Sequence, residues 1–188
     1  MTQTAIVPGS LAFVAANTKV SIAESFVNAD AVIICDTSGS MSACDSRGGK
    51  SRYEILLEEL AKLQRDMPGK LAVIAFSSTV MFCPGGTPYQ LHGGTDLAGA
   101  LRFAKIADVP GMRFFVISDG QPNDEQAALA EAARYKATIS TIYVGPENET
   151  QGRQFLAQLA QAAGGQAVKA ERVMELADKL RPMLQAPV

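Results

Sequence analysis

Residues 31–41 read AVIICDTSGSM: an unbroken apolar run from Ala31 to Cys35, then Asp36, then Ser38 and Ser40 on either side of Gly39. An apolar run of this length that stops at polar and turn-forming residues predicts a strand covered on both faces, which is the signature of a parallel sheet wrapped by helices. If the extended geometry continues past Cys35, positions 36, 38 and 40 point the same way and gather one carboxylate and two hydroxyls. Gly39 permits a tight turn there. Hard divalent cations take oxygen ligands, and Mg²⁺ takes about six of them, so the remainder of such a set has to come from elsewhere in the chain.

The rest of the sequence alternates strand and helix patterns. Arg52 to Asp66 carries Tyr53, Leu56, Leu60 and Leu63 at helical spacing, widened by Leu57, and Pro68-Gly69 stops it. Leu71 to Phe76 is a second buried strand, and Thr79 to Cys83 is a short, antiparallel extra one. A helix begins near Thr95-Asp96 with Leu97, Leu101 and Ala104 on one face. Met112 to Ser118 is a strand ended by Asp119-Gly120. Asn123 is the expected cap of a helix that carries Ala128, Leu129, Ala132 and Tyr135. Thr138 to Val144 is a β-branched strand, Phe155 to Ala163 a helix, Ala167 to Lys169 a short edge strand and Glu171 to Leu180 a last helix. The pattern predicts one α/β domain with a central, mostly parallel sheet of about six strands and helices on both faces. In such sheets ligands bind beyond the carboxyl ends of the strands, where Asp36 and Asp119 both fall.

Two further oxygen donors suggest themselves. Thr95, in GGTDL, supplies a hydroxyl from a Gly-rich loop, and Asp119, in ISDGQ, a second carboxylate. The set Asp36, Ser38, Ser40, Thr95 and Asp119 resembles the metal ion-dependent adhesion site of von Willebrand factor A-type domains, whose pattern is Asp-x-Ser-x-Ser, a distant Thr and a distant Asp. The resemblance spans roughly residues 30 to 182 and implies a three-layer, Rossmann-like vWA fold over residues 31–188, with residues 1–30 as an N-terminal extension outside it. It also implies that the two serines and the threonine contact the ion directly while the aspartates act through waters. The ion, Mg²⁺ or else Mn²⁺ or Ca²⁺, would stay electrophilic enough to take an Asp or Glu carboxylate from a protein partner. Intracellular relatives commonly work in multiprotein assemblies, often with AAA-type ATPases, so the expectation is a cytoplasmic, non-enzymatic adaptor of bacterial type. One departure stands out. The loop and helix start MSACDSRGGKSRYE after Ser40 is long and polar, and places Asp45, Arg47, Lys50 and Arg52 at the expected metal rim, where they could read an acidic partner.

Composition narrows the alternatives. The chain has 188 residues, 47% apolar and 19% charged, with a net charge of −2, which gives no reason to expect nucleic acid or an anionic membrane as partner. Cys35, Cys44 and Cys83 show neither metal-type spacing nor a disulfide framework, and a reducing compartment suits them. No apolar run approaches a membrane span, and the N-terminus lacks the basic start of an export signal. An Asp at a strand end followed by Mg²⁺ chemistry also occurs in haloacid dehalogenase-like phosphatases, but those resemble Asp-x-Asp-x-Thr, and Ser38 here replaces the acid/base carboxylate. GGKS is not a phosphate loop, since Cys44 stands where the first Gly belongs. His92 has no Cys or His at ligand spacing, and no Gly-x-Ser-x-Gly elbow exists. A structural domain with an unused metal site is the remaining alternative.

Overall fold

The computed structural model describes residues 6–45, 49–145, 149–169 and 181–183. Six strands form one sheet: β1 (Ala31–Asp36), β2 (Leu71–Phe76), β3 (Val80–Phe82), β4 (Arg113–Ser118), β5 (Ile139–Tyr143) and β6 (Gly164–Lys169). Their order is β3-β2-β1-β4-β5-β6, parallel throughout except for β3, which runs antiparallel to β2. The expected mostly parallel sheet is therefore present. Every residue of β1 and β2 is buried, because helices cover both faces.

Alternate residues of each strand feed two separate cores. Val32, Ile34, Phe76, Phe114 and Val116 pack with residues of α1 (Leu11–Thr18), α4 (Leu97–Ala104), α5 (Glu125–Ala132) and α6 (Gln151–Ala162). Ile33, Cys35, Val73, Phe115 and Ile117 pack with Ile55, Leu56, Leu60 and Leu63 of α3 (Arg52–Asp66). The period-two alternation of the strands thus makes a three-layer α/β sandwich. Cys35 acts in it as a small apolar side chain, and burial pushes its thiol well above the ordinary range. Helix α3 buries Ile55 where Leu57 was expected to widen the stripe; Leu57 is half-buried. Helix α5 ends before Tyr135, whose hydroxyl instead donates to the Leu101 carbonyl at 2.6 Å while its ring meets Phe114 edge-on.

The N-terminal segment, whose pattern is mixed, folds as two short helices, α1 and α2 (Ile22–Val27), capped by Ser10 and Ser21. It is tied to the domain by backbone bonds from Val7 N–H to the Gly85 carbonyl (2.9 Å), Ala12 N–H to Pro84 (2.8 Å) and Gly69 N–H to Gly9 (2.8 Å). The expected last helix over residues 171–180 lies outside the described residues.

Helix α3 starts at a reciprocal capping box: Ser51 accepts from Glu54 N–H, and the Glu54 carboxylate accepts from Ser51 N–H at 2.8 Å. Ser51→Ala should lower stability by about 1 kcal/mol, read as a shift in the urea midpoint at constant slope. A midpoint within error of the parent would show that α3 starts independently of this cap.

Candidate metal centre at the carboxyl ends of β1 and β4

The sheet grows from β1 outward in both directions, to β2 and β3 on one side and to β4, β5 and β6 on the other. The boundary between the paired strands β1 and β4 is therefore the topological switch point, and it is outside the carboxyl ends at such a point that sheets of this kind form their binding crevice. Asp36 ends β1 and Ser118 ends β4, with Asp119 following.

Asp36 is fully buried, and protein donors reach both of its oxygens. Ser38 N–H donates to Oδ1 at 2.9 Å and the Ser118 hydroxyl to Oδ2 at 2.6 Å. Ser118 in turn accepts from Gly120 N–H at 3.0 Å. Burial pushes the Asp36 carboxyl up to about 6; the bonds from Ser118 and Ser38 pull the other way, and the charge of Asp119 adds to the rise. Asp36 is thus an anchor that ties the β1 end, the 37–40 loop and the β4 end together.

The extended backbone does not continue past Asp36 to Ser40, as the alternation argument assumed. Residues Gly39–Ser42 form a 3₁₀ turn. The turn still brings the Ser38 and Ser40 hydroxyls to 3.1 Å, so two oxygens converge by a different route. Ser40 is exposed and Ser38 buried.

The loop that carries Thr95 lies against this turn. His92 N–H donates to the Thr37 carbonyl at 3.1 Å and Gly39 N–H to the Gly93 carbonyl at 3.3 Å. His92 is exposed and has positive φ. Thr95 does not cap α4; Asp96 does, through Gly99 N–H. Nor does Asn123 cap α5, which Asp124 caps. Asn123 holds Thr95 instead: its Oδ1 accepts from Thr95 N–H at 3.0 Å and its own N–H donates to the Thr95 carbonyl at 2.9 Å. The backbone of Thr95 is pinned from both sides, and capping makes no demand on its hydroxyl.

Asp119 is buried and pairs with Arg52, whose Nη1 donates to Oδ2 at 3.1 Å. The other oxygen, Oδ1, is buried without a hydrogen-bond partner among the described residues. A buried carboxylate oxygen left without a donor is costly, and its place beside the β1 and β4 ends makes Asp119 a candidate ligand side chain. Arg52 is not a rim charge as its sequence position suggested. It is itself buried, held on its far side by Asp45 through Nε at 2.9 Å and through Nη2. Lys50 is exposed and pairs with Glu58, and Arg47 lies outside the described residues. Among the described residues no three His, Cys, Asp or Glu side chains gather as a metal-binding group, so an ion here would depend on hydroxyls. Sequence reasoning missed Ser118 and the clamp by Asn123. Ser118 could have been found from its place beside Asp119 at a strand end.

No protein-family model matches the sequence, and no curated protein matches it either. Solved structures do match the fold. An aerotolerance-related membrane protein from Bacteroides fragilis superposes with a TM-score of 0.65 at 15% identity, over 83% of this chain and 98% of that one. A von Willebrand factor type A protein from Catenulispora acidiphila gives 0.62 at 22% identity, over 82% and 41%. The manganese-loaded TRAP protein of Plasmodium vivax gives 0.59 at 17% identity, over 85% and 74%. At these identities the likeness is one of fold: a three-layer α/β architecture of von Willebrand factor A type.

Proposed function

We propose that the chain is a metal-dependent protein-interaction domain in which a divalent cation at the β1/β4 crevice holds an Asp or Glu carboxylate of a partner protein. The observation that carries this reading is the donor set at the switch point. The Ser38 and Ser40 hydroxyls meet at 3.1 Å, the loop that leads to the pinned Thr95 is bonded to their turn through Gly93 and His92, and a buried Asp119 oxygen lacks a donor among the described residues. Ser38, Ser40 and Thr95 would hold the ion, and Asp36 and Asp119 would neutralise it through water. All-oxygen ligation suits Mg²⁺, Mn²⁺ or Ca²⁺. The manganese-loaded neighbour of this fold supports a divalent ion. When bound, the ion supplies Lewis acidity toward one more oxygen ligand. The chain's own residues would orient that ligand's approach, since the serine turn and the Thr95 loop are fixed to each other by backbone bonds.

The proposal extends to a non-enzymatic adaptor in a multiprotein assembly; an AAA-type ATPase assembly is the setting the family resemblance implies. A phosphatase reading has Asp36 as nucleophile, but Asp36 is fully buried and both its oxygens already accept hydrogen bonds. Among the described residues no helix is long and apolar enough to cross a membrane.

Titration calorimetry with Mg²⁺, Mn²⁺ and Ca²⁺ tests the site, with Ser38→Ala/Ser40→Ala as the comparison. Saturable binding lost in the double variant, partner capture reversed by EDTA and no turnover of p-nitrophenyl phosphate are expected. A folded parent that binds none of the three ions, or one that releases phosphate steadily, overturns the reading.

A further inference from the structure

We propose that Arg52 is a built-in counter-cation of this site: it shares Asp119 with the divalent ion, weakens the ion's hold in the absence of partner, and is itself restrained by Asp45. The inference rests on the metal-dependent reading above and says how that same site is regulated.

An arginine is always charged and brings a rigid fork of donors. The Arg52 side chain is only 8% exposed, an unusual place for a cation unless acids surround it. It spans two of them. One edge of the fork, Nε and Nη2, grips Asp45 in a paired contact, and Nη1 reaches Asp119 Oδ2 at 3.1 Å. The two acids are not equivalent: Asp119 is 5% exposed and Asp45 42%. Arg52 therefore spends part of its charge on a solvated carboxylate at the surface and part on the buried one at the crevice. Its position is fixed by the fold, since it opens α3 directly after the Ser51 cap and its N–H donates to the Ala43 carbonyl at 3.2 Å.

The consequence for an incoming ion follows from charge. Asp36 and Asp119 offer two negative charges at the site. Arg52 is offset in part by Asp45, whose exposed carboxylate is weakened by solvent, and so returns part of its positive charge next to the buried Asp119. A divalent ion is then left partly under-neutralised. Without a partner it binds more weakly, and it pulls harder on any further anionic ligand. By linkage, a partner carboxylate that completes the charge balance raises the ion's affinity by the same factor that the ion raises the partner's. Metal and partner load together rather than in sequence. Asp45 acts as a brake on Arg52: while it holds the fork, less of the guanidinium charge reaches Asp119.

The arrangement predicts opposite signs for two neutralising changes. Mn²⁺ titration of the folded chain at fixed pH and ionic strength should show Arg52→Gln binding the ion about tenfold tighter than the parent. Asp45→Asn should bind it several-fold weaker, as the released fork closes on Asp119. Arg52→Lys keeps the charge without the fork and should stay nearer the parent than Arg52→Gln, which keeps the test open if the glutamine variant folds poorly. A purely structural role for Arg52 would move the two neutral variants in the same direction or leave both within about twofold of the parent, and either result overturns the proposal. If the parent binds Mn²⁺ and only these variants fail to diverge, the counter-cation idea falls and the metal site stands. If the parent binds no Mn²⁺, both fall.

Discussion

Asp36→Asn is expected to flatten the pH dependence of the metal-free domain and to abolish the stabilisation that the proposed divalent ion would give the parent. The sign follows from the direction of the shift. Burial raises the folded-state carboxyl from the ordinary 3.8 to about 6, so the folded chain holds this proton more tightly than the unfolded one. The stability associated with it is full below about pH 4 and is lost as pH rises through about 6. The loss is on the order of 2–3 kcal/mol. Asparagine is neutral throughout and removes the decline. Its carbonyl can accept from Ser38 N–H, and its amide can donate to Ser118, whose oxygen accepts from Gly120 N–H and has a second lone pair. Above pH 6 the metal-free variant should therefore be at least as stable as the parent. The ion reverses the ranking. At about a hundred times its dissociation constant it should stabilise the parent by about 2.7 kcal/mol, a rise of about 5–10 °C in Tm for a domain this size, and leave the variant unmoved. Urea melts from pH 4 to 8 give the first answer, and thermal melts with and without Mg²⁺ give the second. A parent profile that is flat or rising across this range, or a variant whose Tm still climbs with metal, would contradict the role given to Asp36.

Gly120→Ala should cost about 2–5 kcal/mol and loosen the site as well. Gly120 has φ +78°, and a Cβ placed there lies 2.3 Å from the Gly152 carbonyl oxygen in the first turn of α6. The approach is mutual, since a Cβ on Gly152 would lie 2.2 Å from the Asp119 carbonyl oxygen. The obstruction is backbone against backbone, so no side-chain rotation relieves it. The left-handed conformation costs an alanine about 1–2 kcal/mol, and overpacking adds about 1–3 kcal/mol. The strand end would have to move, and Asp119 with it. Gly111→Ala is the matched control: its φ is +86°, but nothing lies within 4 Å of the added carbon, so only the conformational term should appear. Urea midpoints of the two variants separate the terms. Equal losses would mean that the contact between the β4 end and α6 is slack.

The strands were legible because fully buried parallel strands must be apolar along their whole length. AVIICD, LAVIAF and RFFVIS match β1, β2 and β4 almost to the residue. Helix α3 was equally clear, since its fifteen-residue amphipathic stripe stopped by Pro68-Gly69 admits one reading. The first thirty residues were not legible. Helices α1 and α2 are eight and six residues long, too short for a periodic stripe to register, and the start of α1 is tied down by backbone bonds with Gly69, Pro84 and Gly85 that no local pattern announces. The cap of α5 is Asp124 and not Asn123 for a related reason. Thr95-Asp96 and Asn123-Asp124 each offer two competent capping residues in a row, and the chain's path selects the second of each pair, leaving Thr95 and Asn123 to bond to each other.

The sequence by itself determined the layered α/β class, the strands that build it and the identity of the oxygen-bearing side chains, because burial and periodicity are written locally in residue type. Only the tertiary structure decided how those side chains are used: that Asp36 is an anchor held by Ser118, that Asn123 clamps Thr95, and that Arg52 lies buried between Asp45 and Asp119. These pairings join residues up to 82 positions apart. A hydrogen bond or an ion pair between distant segments depends on where the sheet register sets two strand ends, and that register is a property of the packed whole.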